Sequence, residues 1–586
     1  MIKRRTREIL IFSLFFIAVF SYSYRVHRNT GYFTWKSEIT SDKAGYYCYL
    51  PATFYFHFNP KEFPEGIDRE TGYGFILDTV KGKVYSKYTY GVAALVSPFF
   101  LGVHCISWVF HLPRDGGFSP LYRKAINLAA VFYLVLGLWL LKRFLENYLK
   151  EGVIYLALVL MVLGTNLLYY STTESLMSHV YSFFLFSLAL FALAKFYTGR
   201  KKFGWFLLAG FSISLIILIR PINIIILPFL LLWDFKSGIS LADRIRLAWK
   251  PGYVIAFLVI LFLVFLPQLI YWKYLTGNYI FYSYGNEGFT NWNHPRILEV
   301  WFSTLNGLFL YNPLVLVFVA GMILMIVKKE VNGILLLVLF FLLTYGIASW
   351  SCWYFGCSFG QRSFVEYFSF FSLPFGFILE RTFTAKRNLR KGLPLLLFIM
   401  LTGVNILLMS VYDRCFLGST WDWREFERLI GKTGRPYRFR YVKGFSNDLE
   451  NGIISAPYIL SDSIRRSGTY SIILVPGSPP CCMHSLPLWE TGNSGPSRVD
   501  VDFWIRKTED PPFKIHIACT VFKNDSSVVW KSEETRFLLM KAGAWFNTGK
   551  EFLLPENFPR NYQLAVYVRN EDTKKCFLDD ITIKYR

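Results

Sequence analysis

Charge is scarce in this 586-residue chain: 18% of residues are Asp, Glu, Lys or Arg, against roughly a quarter in an average globular protein. That shortage argues against a cytosolic enzyme. Acids are scarcer than bases, 40 against 63, which leaves a formal net charge of +23. The nine cysteines include no CxxC pair and no His/Cys cluster with zinc spacing, which removes zinc-ribbon and thioredoxin-like modules from consideration. Nor does the sequence repeat itself, as transporters commonly do. What is abundant is apolar and aromatic: 53% of residues are hydrophobic and 19% are Phe, Trp or Tyr. A chain that apolar buries enough surface to offset its ordering entropy, so intrinsic disorder is excluded.

The charge is distributed unevenly. The first 412 residues carry a net +19 and residues 413 to 586 a net +4. In the first part the bases lie in short loops between apolar runs instead of clustering on a polar surface, so no nucleic-acid partner is expected. The apolar runs are long enough to cross about 30 Å of hydrocarbon. They predict about eleven spans, at 9–24, 125–141, 153–169, 180–196, 203–219, 221–233, 253–271, 305–327, 333–350, 364–379 and 393–412. The first follows Lys3, Arg4, Arg5 and Arg7 but precedes no small-x-small cleavage site, and reads as an anchor.

Orientation follows from the bases. If 88–110 is interfacial or re-entrant, the N-terminus and the loops at 142–152, 199–202, 234–250, 328–329 and 381–391 share one side and hold 21 Lys and Arg, while the opposite short loops are nearly bare. The expected topology has a cytoplasmic N-terminus, with the long first loop (25–124) and everything after residue 412 outside the cytoplasm. After a linker at 413–443, residues 444–586 change to period-two alternation. Val499, Val501, Phe503 and Ile505 alternate with Asp500, Asp502, Trp504 and Arg506, and Phe513 to Val521 repeat the pattern. Short strands separated by turn residues predict an extracytoplasmic, jelly-roll-like β-sandwich, either a structural cap or a carbohydrate-binding module. Within it Cys519 and Cys576 are placed to meet across the sandwich.

Candidate chemistry gathers in the expected outer loops. Asp42 opens an aromatic stretch with Tyr46 and Tyr47, where it suits either a helix N-cap or a base meeting a lipid-borne substrate. Lys87 precedes the 88–110 segment, and Glu174 and His179 lie in the next outer turn. Arg220 interrupts nearly 30 apolar residues, a placement costly enough to suggest function, with snorkelling to the interface as the alternative. Later loops offer Tyr284 and Glu287, then Trp353, Gln361 and Arg362, whose planar fork suits a phosphate. An acid with several cations suits transfer from a lipid phosphate: the acid deprotonates an acceptor hydroxyl while cations stabilise the departing phosphate.

With Asp42 in the first outer loop, Lys87-Tyr88 before an embedded helix, the Glu174 to His179 turn and the Arg220-Pro221 hairpin, residues 1–412 resemble the GT-C superfamily of integral-membrane glycosyltransferases. The resemblance is to the branch of protein O-mannosyltransferases and lipid A aminoarabinose transferases. It implies inverting transfer of a sugar from a polyprenyl-phosphate donor to a glycan, lipid or protein acceptor on the outer face of a bacterial inner membrane. Asp42 would be the general base, and Lys87, Arg220 and Arg362 the phosphate contacts. Two departures bear on cofactors: Lys43 stands where many relatives carry a second acid, and Glu174 and His179 stand where relatives often place an Asp. No cofactor is firmly implied, and a divalent metal (Mg or Mn) is the one candidate. The competing readings are a polymerase or ligase of lipid-linked glycans, a transporter, and a non-catalytic scaffold.

Overall fold

The computed structural model describes residues 2–28, 37–199, 202–285, 287–356, 358–384 and 389–412, and, in the last third, Phe426 with the strands and their adjoining residues between 443 and 585. The expected linker otherwise lies outside the described residues. The chain is a polytopic α-helical membrane protein followed by a β-sandwich. Among the described residues, eight helices are long and apolar enough to cross a bilayer: Arg4–His27, Gly91–Val109, Asp115–Leu145, Ser178–Thr198, Lys202–Ile219, Pro251–Thr276, Val331–Ser349 and Gly392–Ser410. Shorter apolar helices run over Glu151–Gly164, Pro221–Leu232 and Val315–Val327.

Four expected spans are broken, among them 221–233, which opens as a 3-10 segment, Pro221–Ile225, ahead of the helix Ile226–Leu232. The run at 153–169 stops as a helix at Gly164 and restarts at Leu167, with Thr165 extended between them. The run at 305–327 becomes a short turn, Leu308–Tyr311, and a helix that begins only at Val315, because Pro313 supplies no amide hydrogen. The run at 364–379 opens as a 3-10 segment, Arg362–Tyr367, ahead of the helix Phe368–Thr384. The segment read as interfacial or re-entrant, 88–110, forms a 19-residue helix of spanning length, Gly91–Val109, with Pro98 inside it, and Trp108, Val109 and Phe110 are exposed at its end.

Ser178–Thr198 is the central helix and is buried on nearly all sides. Lipid tails are as apolar as leucine, so close backbone approach rather than the hydrophobic effect holds such helices together. Gly137 shows this: a Cβ there would lie 3.1 Å from the Phe184 Cα on the central helix. Pro251–Thr276, by contrast, presents Ile255, Leu258, Val259, Phe262 and Leu263 outward, as a lipid-facing helix does.

The first loop is compact. A hairpin of β1 (Phe75–Asp78) and β2 (Lys83–Ser86) pairs Ile76 with Tyr85. The short helix Asp42–Tyr47 is pressed against the chain entering that hairpin: a Cβ on Gly74 would fall 1.8 Å from the Ser41 carbonyl oxygen, and one on Gly45 would fall 2.3 Å from the Gly74 carbonyl oxygen.

The C-terminal part is built from two antiparallel sheets. One orders β10 (Trp545–Leu553), β7 (Arg498–Lys507), β12 (Cys576–Tyr585), β5 (Ser471–Leu474) and β4 (Ile459–Ser461), with β3 (Lys443–Asn447) also pairing β12. The other orders β6 (Cys481–Pro487), β11 (Gln563–Asn570), β8 (Phe513–Lys523) and β9 (Ser526–Phe537). The expected inward set, Val499, Val501, Phe503, Ile505, Ile515, Ile517 and Val521, is fully buried between them. Cys519 and Cys576 are both buried in this core, on opposite sheets, but remain free thiols rather than a disulfide.

Candidate functional site

A cavity of about 730 Å³ lies among the first loop, the turn before the central helix, the Arg220 junction and the two later loops. Nine of the twelve expected site residues line it: Asp42, Tyr46, Lys87, Glu174, His179, Arg220, Tyr284, Glu287 and Arg362.

Asp42 is the first residue of its helix and does not cap it. The capping position belongs to Ser41, whose φ of 50° is unusual for a residue with a side chain and whose hydroxyl makes no cap bond. Ser41 is held there by its amide, which donates to the Thr71 carbonyl at 2.7 Å, and by its own carbonyl, which accepts from the Ala44 amide at 2.9 Å. The Asp42 carboxylate is thereby left for the cavity. Its Oδ2 accepts from Arg362 Nη2 at 3.0 Å, with the acid side chain 32% and the arginine 16% exposed. Burial alone would lift the Asp42 carboxyl, but the Arg362 guanidinium, the Tyr88 hydroxyl that bonds to it and the Lys87 ammonium outweigh that and hold it below its ordinary value. Asp42 is therefore an ionised acceptor.

The hairpin places Lys87. Ser283 Oγ donates to the Lys87 carbonyl at 2.6 Å and Tyr85 Oη to the Ser283 carbonyl at 2.7 Å, tying the later loop to the first. Lys87 Nζ then stands 3.2 Å from Glu287 Oε1 and over the rings of Tyr88 and Tyr284, at 5.4 and 5.6 Å. Tyr46, Tyr88, Tyr284 and Trp350 continue from ring to ring at 4.3, 6.5 and 6.1 Å, an aromatic wall facing the charges. Burial pushes the Tyr46, Tyr88 and Tyr284 hydroxyls up, so they stay protonated and can donate.

Three expected residues are elsewhere. Tyr47 points into the first-loop core between Phe100 and Phe118, and its hydroxyl donates to the Gly117 carbonyl. Gln361 is fully buried and its Nε2 donates to the Trp353 carbonyl at 3.0 Å, so this pair braces its loop from behind. Adjacent residues take their places at the cavity: Cys352 and Phe355 from the Trp353 turn, and Arg362 and Ser363 beyond Gln361. A one-residue shift in an irregular loop reverses which side chain faces inward, and no periodicity marks it.

The geometry also shows partners the sequence did not assign. Lys43 Nζ stands 3.0 Å from Glu174 Oε2. Glu366, with no exposed surface, receives Arg220 Nη1 at 2.6 Å and lies 3.0 Å from His179 Nδ1, while Arg220 Nη2 donates to Ser363 Oγ at 3.0 Å. One signal was available: Glu366 is the only acid in the predicted span 364–379, and charge at membrane depth is costly. Arg220 is therefore bound into the bundle and does not snorkel.

The residues fit a divalent metal poorly. Each carboxylate lining the cavity is met by a cation of the chain, Asp42 by Arg362, Glu174 by Lys43 and Glu287 by Lys87, as is Glu366 behind it by Arg220. Among the described residues, the one cluster with ligand-like spacing is His516, Glu534 and Glu571 on the sandwich, outside this cavity. What the cavity offers is one ionised, half-open carboxylate beside cations and tyrosine hydroxyls, suited to an anionic group and a polyhydroxylated one.

No family model and no curated protein matches the chain. Among solved structures, the Archaeoglobus fulgidus oligosaccharyltransferase in complex with Zn and sulfate is similar at 14% identity and a TM-score of 0.43, over 69% of this chain and 54% of its own. Its apo form is similar at 12% identity and a TM-score of 0.39, over 73% and 58%. This chain spans about half of that protein's length. The CBM22-2 xylan-binding domain of Paenibacillus barcinonensis Xyn10C is similar at 15% identity and a TM-score of 0.19, over 24% of this chain and 99% of its own.

Proposed function

We propose that the chain transfers a sugar from a polyprenyl-phosphate carrier to an acceptor hydroxyl, with inversion at the anomeric carbon. The observation that carries this reading is the Asp42–Arg362 pair in a cavity that also holds Lys87, Arg220 and a wall of tyrosines. The acceptor hydroxyl gives its proton to Asp42 while its oxygen bonds to the anomeric carbon. The carbon–oxygen bond to phosphate breaks, and the electron pair leaves with the lipid phosphate. Arg362 sits at the base and the leaving group together, holding Asp42 ionised before reaction and meeting the negative charge that grows on the phosphate. Lys87 and Arg220 share that charge, and the aromatic wall stacks on the sugar's apolar face. No step draws on a metal.

The reading also takes the side of the membrane from the charged loops: the cavity and the sandwich lie outside the cytoplasm, in a bacterial inner membrane. A reporter fused after Arg586 is then active only outside.

The test uses purified, reconstituted protein, a radiolabelled polyprenyl-phosphate hexose and a membrane or cell-wall acceptor extract. Asp42→Asn is expected to lower label transfer by about 10²- to 10⁴-fold, the range of a positioned general base. Equal transfer by both proteins refutes the role of Asp42. Absence of transfer from any lipid-linked donor returns the chain to the transporter or scaffold readings.

A further inference from the structure

The six residues Arg362–Tyr367 form a 3-10 run, in which residues three apart stack on one side. Ser363 and Glu366 are so related, and both reach Arg220: Ser363 Oγ accepts from Nη2 at 3.0 Å and Glu366 Oε1 from Nη1 at 2.6 Å. The other Glu366 oxygen lies 3.0 Å from His179 Nδ1. Arg220 Nη1 is also only 3.3 Å from that nitrogen.

The shorter of the two contacts to Nδ1, the one to Glu366, favours the imidazole hydrogen on that nitrogen. Arg220 is a pure donor and an ionised Glu366 a pure acceptor. With two oxygens, Glu366 accepts from Arg220 with one and from Nδ1–H with the other. The nitrogen left over is Nε2, on a ring that lines the cavity. It is a bare acceptor, and what it can meet there is a hydroxyl hydrogen.

We propose that Glu366 is a positioning residue. It holds His179 in the Nδ1–H tautomer, so that Nε2 accepts a hydrogen bond from one hydroxyl of the transferred sugar and makes His179 a specificity-determining residue. The proposal rests on the sugar-transfer reading above. A glutamine at 366 keeps an oxygen for Arg220 but turns an N–H toward His179. Nδ1 then becomes the acceptor, Nε2 takes the hydrogen, and the bond to the sugar hydroxyl is lost.

Two measurements test this. The first is the pair of ring-nitrogen NMR shifts of His179 in the reconstituted wild type, assigned by difference against His179→Asn. A protonated Nδ1 and bare Nε2 are expected; a protonated Nε2 overturns the proposal whether or not the protein transfers sugar. The second compares polyprenyl-phosphate glucose with its monodeoxy analogues as donors. Wild type is expected to disfavour one analogue by about tenfold, the usual size of one hydrogen bond to a neutral group. Glu366→Gln abolishes that preference without adding to the effect of His179→Ala, and Glu366→Asp, still a pure acceptor, restores it in part. A preference undiminished in Glu366→Gln overturns the proposal. Should Glu366→Gln fail to fold, the wild-type tautomer and the His179→Ala preference decide the matter. Failure of the wild type to use any lipid-linked hexose refutes the transfer reading and leaves the tautomer result standing.

Discussion

Replacing Arg362 by methionine removes the cation that keeps Asp42 ionised while preserving most of the side-chain volume. Unit charges about 4 Å apart attract by about 4 kcal/mol at the effective dielectric of a protein surface. Asp42 is 32% exposed and its partner 16%, so solvent screens part of that and about 2 kcal/mol is the working figure. Losing that attraction raises the Asp42 carboxyl. The sign follows from the native state: the carboxyl lies below its ordinary value of 3.8, so a base that must be ionised loses half its activity only at a pH below that value. Without Arg362 the Tyr88 bond and Lys87 still favour the ionised form, while burial, no longer opposed by the guanidinium, pushes the other way. The acid limb of the transfer rate is then expected at a higher pH than in the wild type. The assay is the pH profile of radiolabel transfer, each variant normalised to its own plateau, because the lost phosphate contact also lowers the plateau. An acid limb unmoved by Arg362→Met refutes the coupling of Asp42 to Arg362.

Other perturbations separate the parts of the site. Lys87→Met is expected to raise the donor KM by tenfold or more, whereas Glu287→Gln, whose ion pair is 33% and 42% exposed, changes it less than about fivefold; equal effects contradict Lys87 as a phosphate contact. Gly74→Ala puts a methyl where only backbone atoms stand, 1.8 Å from the Ser41 carbonyl oxygen. It is expected to cost at least about 2 kcal/mol and to lower the melting temperature in detergent, and an unchanged value argues against this packing. Gly321→Val sets a side chain against the Pro374 carbonyl oxygen, 2.3 Å from an ideal Cβ; normal expression and stability argue against that close approach.

Much of the architecture was legible because it is written locally. An apolar run announces a membrane helix whatever its neighbours are, and alternation at Val499 to Ile505 announces which face of a strand is buried. The interruptions at Thr165 and at Pro313 were not legible, since an average over a window of hydropathy passes through them. At the site, Asp42, Lys87, Arg220 and Arg362 were legible as charges set beside apolar segments. Tyr47, Trp353 and Gln361 were misplaced by the same reasoning, because a loop offers no period to say which side chain turns inward. Glu366 carried a signal, an acid inside a predicted span, but nothing local says what it answers.

The sequence by itself determined that this protein lies in a membrane, that its last third is β, and which polar residues sit at the ends of apolar runs. Burial preference belongs to each residue and repeats with the helix or strand period, so it survives without coordinates. Only the tertiary structure decided the partners. Asp42 and Arg362 stand 320 positions apart, and Arg220 and Glu366 stand 146 apart. Whether such charges neutralise one another, hold a metal or face a substrate depends on a few ångströms of separation, a quantity that exists only after the helices have packed.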